Sequence, residues 1–290
     1  MNKDDIIRYL SEKYPASDIR FFGEGWTSAA FAVDGNILRF PKTEEYMKNY
    51  HKEKGVLSLI RPFTDTPIPD VEIIADEKYP HAKHKLLPGA HWDLNEFEAM
   101  PPDMQDALAR DAAAFLWQVH NTDLNAARLV LKMTKTIETP LEPVRKSDIW
   151  SLIRGYVPAG AFDNIWDKYM EIRDVDIGGD PVVIHADFKG TNTVIDSTAR
   201  LAGVFDFVNA KIAAREYEFK YFYNPAAPTF LRKFSEEYGK LSGFVVDVGK
   251  LKILCMRHNI DGMRRLGDSS LDSIRDGALK QRAERMMFFA

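Results

Sequence analysis

The densest chemistry in this chain lies between residues 181 and 209. An apolar run from Val182 to Ile184 has the look of a buried strand and leads into His185-Ala186-Asp187-Phe188-Lys189-Gly190-Thr191-Asn192. Two further runs, Thr193 to Ile195 and Leu201 to Phe205, end on Asp206-Phe207. Carboxylates at Asp187 and Asp206 and an amide at Asn192 are thereby delivered to neighbouring strand ends. Such a set suits phosphoryl transfer, in which one carboxylate takes the proton of a hydroxyl while the other oxygen donors hold Mg²⁺. Asp and Asn are also common in loops because they bond their own backbone. The flanking strands, an upstream hairpin carrying a cation and a helix carrying a carboxylate weigh against that simpler reading.

Those positioning elements can be read from punctuation and period. Ile6, Ile7, Leu10 and Tyr14 are helically spaced and stop at Pro15. Asp34-Gly35 between two apolar runs signals a hairpin. Alternation then puts Ala30, Ala32, Ile37 and Arg39 on one face, and Phe31, Val33, Leu38 and Phe40 on the other. The first face, small and with one cation, suits a flat anionic ligand. A helix over 44–60 carries Glu53, a strand follows over 67–74, and a second over 84–89 ends in a turn that sets the boundary between lobes 1–88 and 89–290. Beyond it, Met104 to His120 and Phe230 to Met287 read as helices. The five tryptophans are assigned to core or interlobe packing.

Composition narrows the function classes. The chain has 290 residues, 45% of them hydrophobic and 28% charged, with 39 basic and 43 acidic side chains for a net charge of −4. No basic excess is available to neutralise nucleic-acid phosphates. One cysteine, Cys255, excludes an internal disulfide framework and fits a reducing compartment. No segment reads as a leader or a membrane span, so a cytoplasmic protein without nucleic-acid or membrane partners is expected.

The segment His185-Ala186-Asp187-Phe188-Lys189-Gly190-Thr191-Asn192 resembles the catalytic loop of the kinase-like superfamily, and Asp206-Phe207 resembles its metal-binding motif. Within that superfamily the chain is similar to the aminoglycoside phosphotransferases, and to their 2''-phosphotransferase branch in particular. The resemblance spans about 18–225. It includes Gly23-Glu24-Gly25, Arg39-Phe40-Pro41-Lys42, Pro67-Ile68-Pro69, Phe115-Leu116-Trp117-Gln118-Val119-His120 and the run Ala213 to Phe219. It implies an α+β, protein-kinase-like fold of two lobes, with a small antiparallel-sheet lobe binding nucleotide and a mainly helical lobe holding the catalytic loop and the acceptor.

By that resemblance Asp187 is the base, Asn192 and Asp206 bind Mg²⁺, and Lys189 offsets charge on the transferred group, while His185 holds the loop. Gly23, Gly25, Thr27 and Ser28 would face the phosphates of ATP or GTP, with Ala30, Ile37, Lys85, Leu86 and Leu87 around the rest of the nucleotide. Two departures stand out: the third-strand lysine is replaced by Arg39, paired with Glu53, and the glycine-rich loop is poorer in glycine. Lys42 would alternate to the other face. Too few residues follow Asp206 for a peptide platform, which favours a small-molecule hydroxyl acceptor. The resemblance makes that acceptor aminoglycoside-like, with Glu216, Glu218, Arg257 and Asp261 at its site and an acidic pocket suiting a polycation, in a monomer or homodimer. The charge mixture between Arg257 and Arg285 reads as a solvated helix face, with the helical stripe of Arg257, His258, Asp261 and Arg264 as the part suited to face the cleft. The competing readings are a metal-dependent phosphoester hydrolase with His185, Asp187 and Asp206 as ligands, and a nucleotide-binding pseudokinase.

Overall fold

The computed structural model describes residues 3–75, 77–132, 144–267 and 272–290, the last of these with side chains from 275 onward. Helix α1 (Lys3–Lys13) precedes strands β1 (Ile19–Glu24), β2 (Ser28–Val33) and β3 (Asn36–Pro41). Asp34 and Gly35 both have positive φ, 47° and 75°, and the tight turn they form sets the register. Ala30 then faces Arg39, and Phe31 faces Leu38. Phe31, Val33, Leu38 and Phe40 pack beneath Ile6 and Leu10 of α1, so α1 covers the bulky face, while Ala30, Ile37 and Arg39 of the other face line a cleft.

A short 3-10 turn, Glu44–Tyr46, leads into α2 (Met47–Ile60). The strand expected over 67–74 is reduced to β4 (Glu72–Ile74), because Pro67 and Pro69 have no N–H to give a ladder. The strand expected over 84–89 lies earlier, as β5 (His81–Lys85), and pairs with both β3 and β4 in the sheet order β1-β2-β3-β5-β4. Leu86 ends it by donating to Gly35 O at 2.8 Å, and Pro88-Gly89 turns away.

The remainder is mainly helical: α3 (Leu94–Ala99), α4 (Pro102–His120), α5 (Leu124–Leu131), α6 (Lys146–Ile153) and α7 (Ala159–Ile172) come first. The chemistry-bearing segment follows as β6 (Pro181–Ile184), β7 (Thr193–Ile195), β8 (Leu201–Val204) and β9 (Lys211–Ala214), with β6 paired to β9 and β7 to β8. Then come α8 (Glu216–Phe219), α9 (Thr229–Ser242), α10 (Val248–Gly267) and α11 (Asp272–Met286). Of the tryptophans, Trp92 and Trp166 are buried as expected, whereas Trp26 and Trp117 are exposed.

The connection between the sheet and the helical part is tight. Gly89 has φ +134°, and a Cβ there would meet Ile195 O at 2.7 Å. Ala90 and Ile195 exchange backbone hydrogen bonds, each 2.9 Å. The next residues brace β7: His91 Nδ1 lies 3.0 Å from Thr193 O and Trp92 Nε1 donates to Thr193 Oγ1 at 2.7 Å. No helix among the described residues is long and apolar enough to cross a membrane.

Candidate active site

The catalytic loop begins where β6 ends. Ala186 has φ +66°, a left-handed conformation that costs an L-residue roughly 1–2 kcal/mol. Its two flanking peptides are held from outside the loop. Glu218 accepts the N–H of His185 at 2.6 Å and of Ala186 at 3.1 Å, and Lys220 Nζ donates to Ala186 O at 3.1 Å. His185 Nε2 lies 3.0 Å from Phe205 O, which ties the loop to the end of β8. That bond, together with the Asp187 N–H donated to His185 Nδ1 at 3.3 Å, leaves the imidazole committed to backbone. His185 is therefore not placed as a metal ligand.

Asp187 emerges from this clamp with its carboxylate surrounded by donors. Asn192 Nδ2 reaches Oδ2 at 2.8 Å, and Lys189 Nζ lies 2.9 Å from Oδ1. Burial pushes the Asp187 carboxyl up, but Lys189, His185 and the Tyr221 hydroxyl outweigh it and hold the group below its ordinary value. Gly190 permits the turn's position: a Cβ there would fall 1.8 Å from Trp92 O.

Asp206 sits opposite, also left-handed, at φ 65°. Its carboxyl is raised above the ordinary value, first by burial and then by Glu53, with Arg39 opposing. Arg39 Nη1 stands 3.9 Å from Asp206 Oδ1 and 3.3 Å from Glu53 Oε1, and Nη2 also pairs with Glu53. Glu53 further accepts the Phe207 N–H at 3.1 Å, so one carboxylate of α2 joins β3 to the residue after Asp206. The Glu53 side chain has no exposed surface and that of Arg39 only 11%, which distinguishes the pair from a surface ion pair. Lys42 is occupied elsewhere, 2.5 Å from Glu24.

The Asp206 carboxyl is half-buried, with 36% of its side chain exposed, and the Asn192 amide lines the same cleft. This hard-oxygen set fits Mg²⁺, whose charge would add to that of Arg39 in favouring the ionised Asp206. Among the described residues no group of three or more His, Cys, Asp or Glu side chains is placed to hold a metal ion.

One cleft of about 1840 Å³ runs from the hairpin to α11. Gly23, Gly25, Thr27, Ser28, Ala30, Ile37 and Arg39 line its roof, Leu86 and Leu87 its back, and Asp187, Lys189, Asn192 and Asp206 its floor. Arg257 and Asp261 lie on its far wall. Lys85 is outside the lining, because its side chain alternates away from that of His84 along β5, and Glu53 acts on the cleft only through Arg39 and Phe207.

Glu216 and Glu218, expected at the acceptor, are both buried and do not line the cleft. Glu218 holds the catalytic loop, as above, and stands 3.6 Å from His120 Nε2, while Glu216 pairs with Lys250 at 3.0 Å. The start of α8 directs both carboxylates inward. The stripe of Arg257, His258, Asp261 and Arg264 lines the cleft, and the solvated face expected for the rest of the stretch is corrected at Arg282 and Arg285, which line it too; positions 268–271 lie outside the described residues. Lys220 and Tyr221 also line it and were missed. The spacing of Arg282 and Arg285 on one helix face was a signal that could have marked them.

Comparison with known proteins gives matches over most of the chain. The model of the phosphotransferase enzyme family matches residues 18–251. The uncharacterized protein YcbJ of Bacillus subtilis (strain 168) is 24% identical over 186 residues, which span 61% of this chain and 58% of YcbJ. The GDP complex of wild-type aminoglycoside 2'-phosphotransferase-IIIa superposes with TM-score 0.76 at 18% identity, covering 98% of this chain and 99% of that one. A macrolide 2'-phosphotransferase type I superposes with TM-score 0.67 at 17% identity, covering 97% of each chain. At these identities the two solved structures establish the kinase-like two-lobed fold.

Proposed function

This chain belongs to the phosphotransferase enzyme family, and on that premise we propose that it transfers the γ-phosphoryl group of Mg-ATP or Mg-GTP to a hydroxyl of a small molecule. The observation that carries the reading is the convergence of Asp187, Asn192 and Asp206 beneath a hairpin face that bears Arg39. Nucleotide would lie on the small face of β2 and β3, where Ala30 and Ile37 leave room for a base and Thr27 and Ser28 bring backbone N–H groups near phosphate.

Each residue has a task that its surroundings support. Asp187 uses two of its lone pairs on Asn192 and Lys189, and keeps others to accept the acceptor's hydroxyl hydrogen and then its proton. Lys189 and Arg39 offset phosphate charge from opposite sides. A divalent cation held by Asn192 and Asp206 would neutralise charge on the phosphates when bound. Glu53 fixes Arg39 and Phe207 together, and Glu218 with Lys220 fixes Ala186, so little reorganisation is left for the reacting state.

The test measures nucleoside diphosphate release with ATP and with GTP over a panel of hydroxyl acceptors, with and without Mg²⁺. Acceptor-dependent, Mg²⁺-dependent release supports the reading. Release of phosphate from simple phosphoesters without nucleotide would instead support a hydrolase. Absence of any Mg-nucleotide binding would support a non-catalytic role. The two solved structures named above are an aminoglycoside and a macrolide phosphotransferase; for this chain the acceptor class is decided by the wall of the cleft.

A further inference from the structure

The wall that faces Asp187 from α10, α11 and the turn after α8 is cationic. Lys220 is buried, with its ammonium 4.2 Å from the centre of the Tyr221 ring. Arg285 Nη2 donates to Tyr221 O at 2.8 Å and Arg282 Nη1 to His258 O at 3.0 Å, which leaves most of each guanidinium's donors uncommitted to these contacts. Position 262 makes room for one of them. A Cβ on Gly262 would fall 2.1 Å from Arg282 Cζ, so α10 is cut back to glycine where the guanidinium lies.

Acidic groups on the same wall do not balance this charge. Among the described residues lining the cleft around these helices, the carboxylates are Asp187, Asp206, Asp261 and Glu284. The first two belong to the chemistry. Asp261 is shared between Arg264 at 3.3 Å and Arg265 at 2.5 Å, and Glu284 is exposed, 4.0 Å from Lys280. His258 reports the resulting field: burial first, then Lys220, Arg282, Arg285 and Lys189, hold its imidazole well below the ordinary value. These cations lie on the helical lobe, whereas Arg39, which faces the donor's phosphates, lies on the sheet.

We propose that the acceptor is an anionic polyol, a small molecule bearing a carboxylate or phosphate that docks between Lys220, Arg282 and Arg285 while one of its hydroxyls meets Asp187. The assignment rests on the phosphotransfer reading above. The acceptor oxygen forms a bond to the γ-phosphorus as the bond from that phosphorus to the β-phosphate oxygen breaks. The bonding pair leaves with the nucleoside diphosphate and the hydroxyl proton passes to Asp187. A polycationic acceptor would meet like charge on this wall. The acidic pocket expected from the sequence is thus replaced by a basic one.

Thermal unfolding of the whole protein tests the assignment in two steps. Non-hydrolysable Mg-ATP and Mg-GTP analogues alone come first; no rise in Tm with either overturns the phosphotransfer reading itself. With the nucleotide site filled, gluconate (carboxylate), glucose 6-phosphate (phosphate), glucitol (neutral) and kanamycin (polycation) are compared. At least one acidic probe is expected to raise Tm by about 4 °C at a hundredfold excess over its Kd, and to lose that effect in high salt. Arg285→Gln is expected to weaken the acidic probe about tenfold while the nucleotide shift stays at the parent value; Arg282→Gln serves as a second variant should Arg285→Gln not fold. A shift with kanamycin, no shift with either acid, or an acidic shift unchanged in both variants overturns the assignment. Whether gluconate or glucose 6-phosphate acts identifies the acidic group.

Discussion

Asp187 and Asp206 are moved in opposite directions by their neighbours, and the difference assigns them different work. Lys189, His185 and Tyr221 hold the Asp187 carboxyl below its ordinary value against burial, so in the proposed reaction its contribution would lie in orienting a hydroxyl and receiving its proton late. Asp187→Asn keeps the shape and removes the acceptor, and should lower kcat by about 10²–10⁴-fold in the diphosphate-release assay while nucleotide Kd is retained. Asp206, raised by burial and Glu53, must lose a proton before it can bind a cation. The acid limb of kcat/KM for nucleotide should therefore lie above the ordinary Asp value, whereas the limb in kcat, measured with nucleotide and Mg²⁺ bound, should lie lower. Coincident limbs in the two pH profiles would contradict this. Lys220 adds a basic limb. Burial lowers its pKa to about 7 against Glu218 and Asp187, with Lys211 and Lys189 assisting the fall. Above that pH the ammonium is lost, so KM for an acidic acceptor should rise from pH 7 to 8.5, and should stay flat for a neutral one.

At the scale of elements, the loop between β6 and β7 is shaped by groups outside it. Glu218 on α8 satisfies two backbone donors at once, and a buried carboxylate in that role contributes about 2–3 kcal/mol. Glu218→Gln should lower Tm and reduce kcat, with nucleotide binding kept, because the strained Ala186 peptide loses its clamp. The pair of β3 and α2 is more severe. Arg39→Ala leaves Glu53 buried without its partner and should cost about 3–5 kcal/mol in chemical denaturation. Gly190→Ala brings a side chain against the backbone of Trp92, which cannot swing aside as a side chain can. Both the fold and activity of that variant should be lost together.

Across the whole molecule, the apolar core does not stop where the sheet ends. Tyr50, Val56 and Leu57 of α2 and Ala82 of β5 share one cluster with Leu116 of α4, Phe207 and Ile260 of α10. The small second cluster under α1 covers the hairpin's other face. The two lobes proposed at 1–88 and 89–290 therefore share buried surface, and calorimetry should show a single transition with calorimetric and van't Hoff enthalpies equal. Two separable transitions would contradict a shared core. The same continuity positions the cleft, since its roof and floor are held against each other by α2 through Glu53 rather than by a flexible linker alone.

The sequence by itself determined the parts whose causes are local. The Asp34-Gly35 turn fixes its own register, alternation along β2 and β3 separates Arg39 from Phe40, and the strand-loop-strand run around Asp187 and Asp206 is contiguous enough to be read directly. The helices of the larger lobe were legible only as regions, and β4 and β5 were displaced, because their limits depend on partners that a single strand does not contain. Only tertiary packing decided that Glu216 and Glu218 turn inward and that Lys220, Arg282 and Arg285 converge on the cleft. A net charge of −4 sums over the whole surface and carries no information on the sign inside one cleft. That sign is set by which helices reach the cleft, and α10 and α11, consecutive in sequence and packed on each other, line it from far along the chain relative to the catalytic loop.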